Sequence, residues 1–237
     1  MIHISELQKR YGKIEALRSI NLDFDVSKAV ALVGPNASGK TTLIKCLLGM
    51  VIADAGTILF DGKDIAGDVS YKKRIGYMPQ IGRYPDNMRM GYLFRMMKDL
   101  GSNRVFDKFD EELIEAFGLP TMFNKPMRAL SGGTRQKVSA ALAFLFDPEV
   151  IILDEPTAGL DPLASELLKQ KIAREKAAGK LILVTSHIMS EVEEMADQIA
   201  YIVEGEAIFY KTITEIKSET GENRLGQALF HLLHNRI

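Results

Sequence analysis

"AVALVGPNASGKTTLIKCLLGM", residues 29–50, decides the fold. Ala29 to Val33 are uninterruptedly apolar, as expected of a strand covered on both faces. Gly34, Gly39, Lys40 and Thr41 then satisfy the spacing G-x-x-x-x-G-K-T, and the residues after them read as a helix. Strand, glycine-rich loop and helix in this order make a phosphate-binding loop. Gly34, Pro35, Asn36, Ala37, Ser38, Gly39, Lys40, Thr41 and Thr42 would surround the anion. Backbone N–H groups face phosphate oxygens, Lys40 bridges the β- and γ-phosphates of a nucleotide, and Thr41 offers a hydroxyl to Mg²⁺.

"VIILDE" (150–155) and "LILVTSH" (181–187) are two more nearly continuous apolar runs that end in polar residues. Helical patterns separate them: "ASELLKQKIAREKAAGK" (164–180), with Gly179 as its stop, and "IMSEVEEMADQ" (188–198). This alternation predicts an α/β P-loop core with a mostly parallel sheet, whose ligands sit at the carboxyl ends of the strands. Asp154 and Glu155 emerge at that edge. Adjacent carboxylates closing a buried strand are costly without a cation or a water to act on. We therefore assign Asp154 to Mg²⁺ and Glu155 to polarising the attacking water, with positioning and charge stabilisation carrying the rate enhancement. His187 leaves its strand at the same edge and joins them as a candidate.

"IHISELQKRYG" (2–12), "EALRSINLDFD" (15–25) and "GTILFDGKD" (56–64) carry period-two or β-branched patterns and predict an antiparallel β lobe. After Gln80 the composition shifts to "MRMGYLFRMMKDLG", "DEELIEAFGLP" and "MFNKPMRAL". These predict an inserted helical subdomain over 81–130, its helices cut by Gly101, Pro120 and Pro126. Met88, Met90, Met96 and Met97 lie at helical spacing beside Leu93 and Phe94 and read as adaptable packing rather than soft-metal ligands. A last helix, 222–237, places Leu225, Ala228, Leu229, Leu232 and Leu233 on one face, which predicts packing on its own domain. With no repeat or linker in view, the expectation is a single domain over 1–237.

A second glycine pair stands in "LSGGTRQKV" (130–138). It follows no apolar strand and has no lysine after its glycines, and it opens a helix with Ser131 at the capping position. Ser131, Gly132 and Gly133 thus form half an anion site. It cannot be the phosphate loop of the same nucleotide, so it serves a nucleotide held by another subunit.

Composition narrows the function. Among 237 residues, 30 Lys and Arg face 31 Asp and Glu, for a formal charge of −1, so no global field favours nucleic acid and none is expected as a partner. The N-terminal residues lack the pattern of a secretory signal, and no apolar stretch reaches the roughly 18 residues that span a bilayer, so membrane association needs a partner. Cys46 is the one cysteine, fitting a reducing compartment, and reads as a packed helix-face thiol.

"GPNASGKTT", Gln80, "LSGGTRQ", "IILDEPTAGLDP" and "TSH", in that order, resemble the ATP-binding cassette ATPases, the nucleotide-binding subunits of ABC transporters. The resemblance covers nearly the whole chain. It implies a head-to-tail homodimer with two ATP molecules, each between one chain's phosphate loop and the other's "LSGG". It further implies separately encoded transmembrane subunits and a place on the cytoplasmic face of the membrane. By the same resemblance Tyr11 stacks on adenine, Gln80 touches Mg²⁺ and water and senses the membrane partner, and Asp161 makes a contact across the dimer. Ala37 stands where the family often has Gly, and Thr134 where the signature commonly has Gln. "IGYMPQIGRYPDNM" (75–88) with "LSGGTRQKV" is also similar to the ATPases of the copper-processing transporter that helps mature nitrous oxide reductase. The alternative is an ABC-type ATPase not coupled to transport, such as an iron–sulfur assembly type; a kinase or GTPase would need a lid or a base-recognition motif instead of "LSGG".

Overall fold

The computed structural model describes residues 1–102 and 108–234. Its strands in chain order are β1 (Ile2–Tyr11), β2 (Ile14–Phe24), β3 (Ala29–Val33), β4 (Ala55–Phe60), β5 (Lys63–Asp64), β6 (Ile75–Met78), β7 (Val150–Asp154), β8 (Leu181–Thr185), β9 (Gln198–Val203) and β10 (Glu206–Thr212). The α-helices are α1 (Lys40–Leu47), α2 (Met90–Ser102), α3 (Glu112–Ala116), α4 (Gly132–Phe144), α5 (Pro162–Ala177), α6 (Met189–Met195), α7 (Ile213–Thr220) and α8 (Leu225–His234).

The main sheet has the order β10-β9-β3-β8-β7-β6, parallel throughout except for β10, which pairs antiparallel with β9. The lobe β2-β1-β4-β5 is antiparallel. This is the α/β architecture that the sequence predicts.

The continuous apolar runs are explained by two cores, one on each face of the main sheet. Ala29, Ala31, Val33, Ile151, Leu153, Ile182 and Val184 pack on the side of α4 and α5. Their alternates Val30, Leu32, Val150, Ile152, Leu181 and Leu183 pack against α1 and the β lobe. With both faces covered, period two yields an apolar residue at every position rather than alternation.

Three local expectations need correction. Gly101 does not stop a helix: α2 continues through it to Ser102, and the glycine instead makes room for Phe146, whose ring a Cβ there would approach to 2.4 Å. "DEELIEAFGLP" forms only the short α3, and "MFNKPMRAL" contributes 3₁₀ turns, Leu119–Met122 and Met127–Ala129. Pro120 and Pro126 lack the N–H groups that longer helices need. The hairpin β9–β10 and strand β6 have no counterpart in the sequence-based expectation.

Met90 is buried, and Met88, Met96 and Met97 pack against the same core, as expected of filler side chains. The tail also follows expectation: Leu225, Ala228 and Leu229 are buried, with Leu232 and Leu233 packed against the core. Lys171 of α5 is buried among Asp110 (2.5 Å), Glu112 (2.9 Å) and Glu175 (2.7 Å) and so fastens the α3 region to the core. Burial alone would drive its ammonium towards neutrality, but these carboxylates outweigh it and hold its pKa above the lysine range.

Cys46 is 2% exposed on α1, and burial pushes its thiol up to about 11. At pH 8 only about one thiol in a thousand is then thiolate, the reactive form. A thiol reagent at that pH should label Cys46 in the folded chain far more slowly than in the chain unfolded in urea, as a time course of labelling will show.

Candidate active site

Strand order assembles the site. β3, β8, β7 and β6 are neighbours, so the loops that leave their carboxyl ends, carrying Gly34, His187, Glu155 and Gln80, lie side by side.

The phosphate loop runs from β3 into α1. A Cβ on Gly34 would sit 1.9 Å from the Ile202 carbonyl oxygen, and one on Gly39 2.5 Å from that of Ala16, so both glycines are forced by close backbone approach. No side chain caps α1, which leaves its first N–H groups open to an anion. Lys40 Nζ donates to the carbonyl oxygens of Gly34 (2.8 Å) and Pro35 (2.7 Å) and to Ser38 Oγ (3.3 Å), centring its charge over the loop. Burial draws its pKa below the lysine range, against the attraction of Asp154 and Glu155. Ala37 holds the left-handed φ of 60° at the loop's tip, a conformation that glycine adopts without strain. Pro35 and Asn36 are exposed beside it, while Thr41 is exposed and Thr42 half-buried in the first turn of α1.

At the end of β7, Asp154 is 8% exposed. Thr185 Oγ1 donates to its Oδ1 (2.5 Å) and accepts the Glu155 N–H (3.0 Å), so one hydroxyl orients both carboxylate residues. Glu155 carries φ 50°. That left-handed turn directly after a strand swings its carboxylate to the sheet edge, where Gln80 Nε2 donates to Oε2 (2.8 Å) and His187 Nε2 lies 2.8 Å from Oε1. Gln136 Nε2 donates to the Glu155 carbonyl oxygen (3.3 Å). Glu155, Gln80 and His187 therefore converge as a set.

The second glycine pair lies at the start of α4. Ser131 Oγ accepts the Thr134 N–H (3.2 Å) and sits 2.9 Å from the Thr134 hydroxyl, so Ser131 is the helix cap and Thr134 is engaged within its own chain. Gly132 is open to solvent, whereas a Cβ on Gly133 would meet the Gly159 carbonyl oxygen at 2.6 Å. Asp161 caps α5 through the Ala164 N–H (2.9 Å) and pairs with Lys137 Nζ of α4 (2.6 Å). The 155–161 turn thus bridges Glu155 to the LSGG helix of the same chain. Tyr11, half exposed at the end of β1, closes the hairpin whose Ala16 touches Gly39, with Lys9 Nζ 5.7 Å from its ring centroid.

The family model described as ABC transporter matches residues 17–158. The chain belongs to the ABC transporter family. The lantibiotic transport ATP-binding protein SrtF of Streptococcus pyogenes is 33% identical over 216 residues, 89% of this chain and 90% of that protein. A solved ATP-binding subunit of an ABC transporter matches with TM-score 0.89 at 25% identity, over 98% of this chain and 99% of the other. A bacterial ABC transporter cassette solved as a dimer shares the fold with TM-score 0.77 at 23% identity, over 90% of this chain and 98% of its own. This ABC protein is an ATP-binding subunit and an ATPase.

Thr185 and Gln136 are the parts of this ABC site that sequence reading passed over. Both stand inside quoted motifs, "LILVTSH" and "LSGGTRQ", but only the fold shows that they aim at Asp154 and Glu155. Thr185→Val keeps the shape and strips the hydroxyl from a buried carboxylate. Its stability should fall by about 1–3 kcal/mol, read as a shift in the urea midpoint with unchanged slope.

Proposed function

We propose that two copies of this chain sandwich ATP head to tail, each nucleotide lying between one copy's phosphate loop and the other's Ser131, Gly132 and Gly133, and that its hydrolysis powers a membrane transporter. The observation that carries the reading is the convergence of Gln80 and His187 on the Glu155 carboxylate, 2.8 Å on either side, next to the Lys40 loop. Two amide- or imidazole-bearing side chains hold that carboxylate at the sheet edge, where it can orient a water and accept its proton. Lys40 and the N–H groups of α1 stabilise charge on the phosphates. Asp161 lies on the bridge to α4 and contacts the second copy, and Tyr11 supplies an aromatic face for the base.

Thr41, Asp154 and Gln80 would hold Mg²⁺, which neutralises phosphate charge when bound. The donor set suits it. Mg²⁺ takes hard oxygen donors, and in nucleotide sites it uses one or two carboxylates and completes its shell with phosphates and water. Asp154 is the single carboxylate here, beside a hydroxyl and an amide oxygen, and among the described residues no group of three or more His, Cys, Asp or Glu gathers.

Glu155→Gln tests the sandwich. Hydrolysis should fall at least about a hundredfold, the scale of a lost general base. Light scattering with ATP and Mg²⁺ should then find a dimer. A variant that binds ATP yet stays monomeric at high ATP refutes the sandwich.

A membrane partner has a surface to use. A groove of about 770 Å³ runs between β6, α2 and α4, lined by Tyr77, Tyr84, Leu93, Met97, Leu142 and Phe146. It begins at the loop that carries Gln80, so a cytoplasmic segment seated there would press on the residue that holds Glu155. Among the described residues no helix is long and apolar enough to cross a membrane; the subunit would sit peripherally on the cytoplasmic face through that partner. Residues 75–88, which carry the resemblance to the copper-processing type, form one wall of this groove, and we name that transporter as the partner. Gentle solubilisation of membranes containing tagged chain should copurify a multi-spanning protein of that type. Recovery with soluble proteins only would refute the membrane reading, and a different transporter would refute the copper reading alone.

A further inference from the structure

We propose that Glu191 is a positioning residue that ties the turn after Glu155 to the loop carrying His187, and so holds the two halves of the hydrolytic set in register. Thr157 Oγ1 donates to Glu191 Oε2 at 2.6 Å, and Ser186 Oγ reaches the same oxygen at 3.2 Å. Thr157 and Ser186 are 9% and 6% exposed, so their hydroxyls have little recourse to water. Glu191 stands in the first turn of α6, and the backbone closes a ring around it. The Ile188 N–H donates to Ser186 Oγ (3.1 Å), and the Glu191 N–H donates to the Ile188 carbonyl (3.0 Å). One carboxylate oxygen therefore joins two segments that sequence separates by about thirty residues, one beginning at Glu155 and the other carrying His187, which meets the Glu155 carboxylate.

The far end of the same turn is clamped independently. Gly159 lies against Gly133, and Asp161 pairs with Lys137, both at the start of α4. Between its two clamps the 155–161 turn is a short strut. One end bears on the LSGG helix, which in the proposed dimer faces the second nucleotide. The other end, through Glu191, bears on His187. Loss of the tie frees the strut at the catalytic end without touching the phosphate loop.

A bland role for Glu191 also exists, as an acid in the first turn of a helix, where negative charge is favoured. The two roles separate by substitution. Glu191→Gln keeps an oxygen that accepts both hydroxyls and removes the charge, whereas Glu191→Ala removes both. Thr157→Val removes the tie from the other side and leaves the helix acid in place.

The inference rests on the proposed roles of Glu155 and His187, so Glu155→Gln is measured beside these variants. With full-length chain, steady-state hydrolysis of Mg-ATP gives kcat and KM, and equilibrium titration with ATP gives affinity. Glu191→Ala and Thr157→Val should each lower kcat about tenfold with ATP affinity unchanged, and the double variant should be no worse than either, since both break one link. Glu191→Gln should stay within about twofold of the parent. Should Glu191→Ala not fold, Thr157→Val and Glu191→Gln decide. Unchanged kcat in Thr157→Val, equal loss in Glu191→Gln and Glu191→Ala, or multiplying losses in the double variant would each overturn the tie. If Glu155→Gln hydrolyses normally, the reading of the site itself has failed; if it is inactive while Thr157→Val is normal, only the tie has.

Discussion

One hydroxyl, that of Thr185, sits where the structure's constraints meet. Asp154 closes a strand buried on both faces, and a carboxylate there cannot stand without a donor. The β7–β8 register sets Thr185 directly opposite, where it donates to Asp154 and accepts from the Glu155 N–H. The same strand lies between β7 and β3, with Leu32 also in register with Thr185. Fixing that register fixes the separation between the phosphate loop and the two acids, and everything at the carboxyl edge follows from it.

Two side-chain-bearing residues at this edge hold left-handed backbone. Glu155 at φ 50° and Ala37 at φ 60° each hold a region disfavoured for side-chain-bearing residues, at a cost on the order of 1–2 kcal/mol per residue. Glu155 is offset by bonds from its N–H to Thr185 and from Gln136 to its carbonyl. Ala37 lies at an exposed loop tip, where glycine would hold the same left-handed φ without that cost.

Two glycine pairs serve different ends. Gly34 and Gly39 let the phosphate loop pass close to neighbouring backbone. Gly133 is required where α4 meets Gly159, so within one chain the LSGG glycines are as much a joint to the 155–161 turn as an anion half-site.

The local pieces were legible because they are local. Period and composition in residues 29–50, 150–155 and 181–187 specify strand, loop and helix, and the chemistry of Lys40, Asp154, Glu155 and the "LSGG" glycines could be named before any contact was known. Extent was less legible: α2 runs through Gly101, since the reason for that glycine is Phe146, 45 positions away in the chain. Strand order lay beyond sequence altogether. That Gln80, Glu155 and His187 meet within hydrogen-bond distance, and that Thr185, Gln136 and Glu191 support them, depends on which strand lies beside which. The sequence determined the chemical groups, because residue type and spacing act over a few bonds. The tertiary structure alone decided their company, because burial and strand register act across the whole sheet.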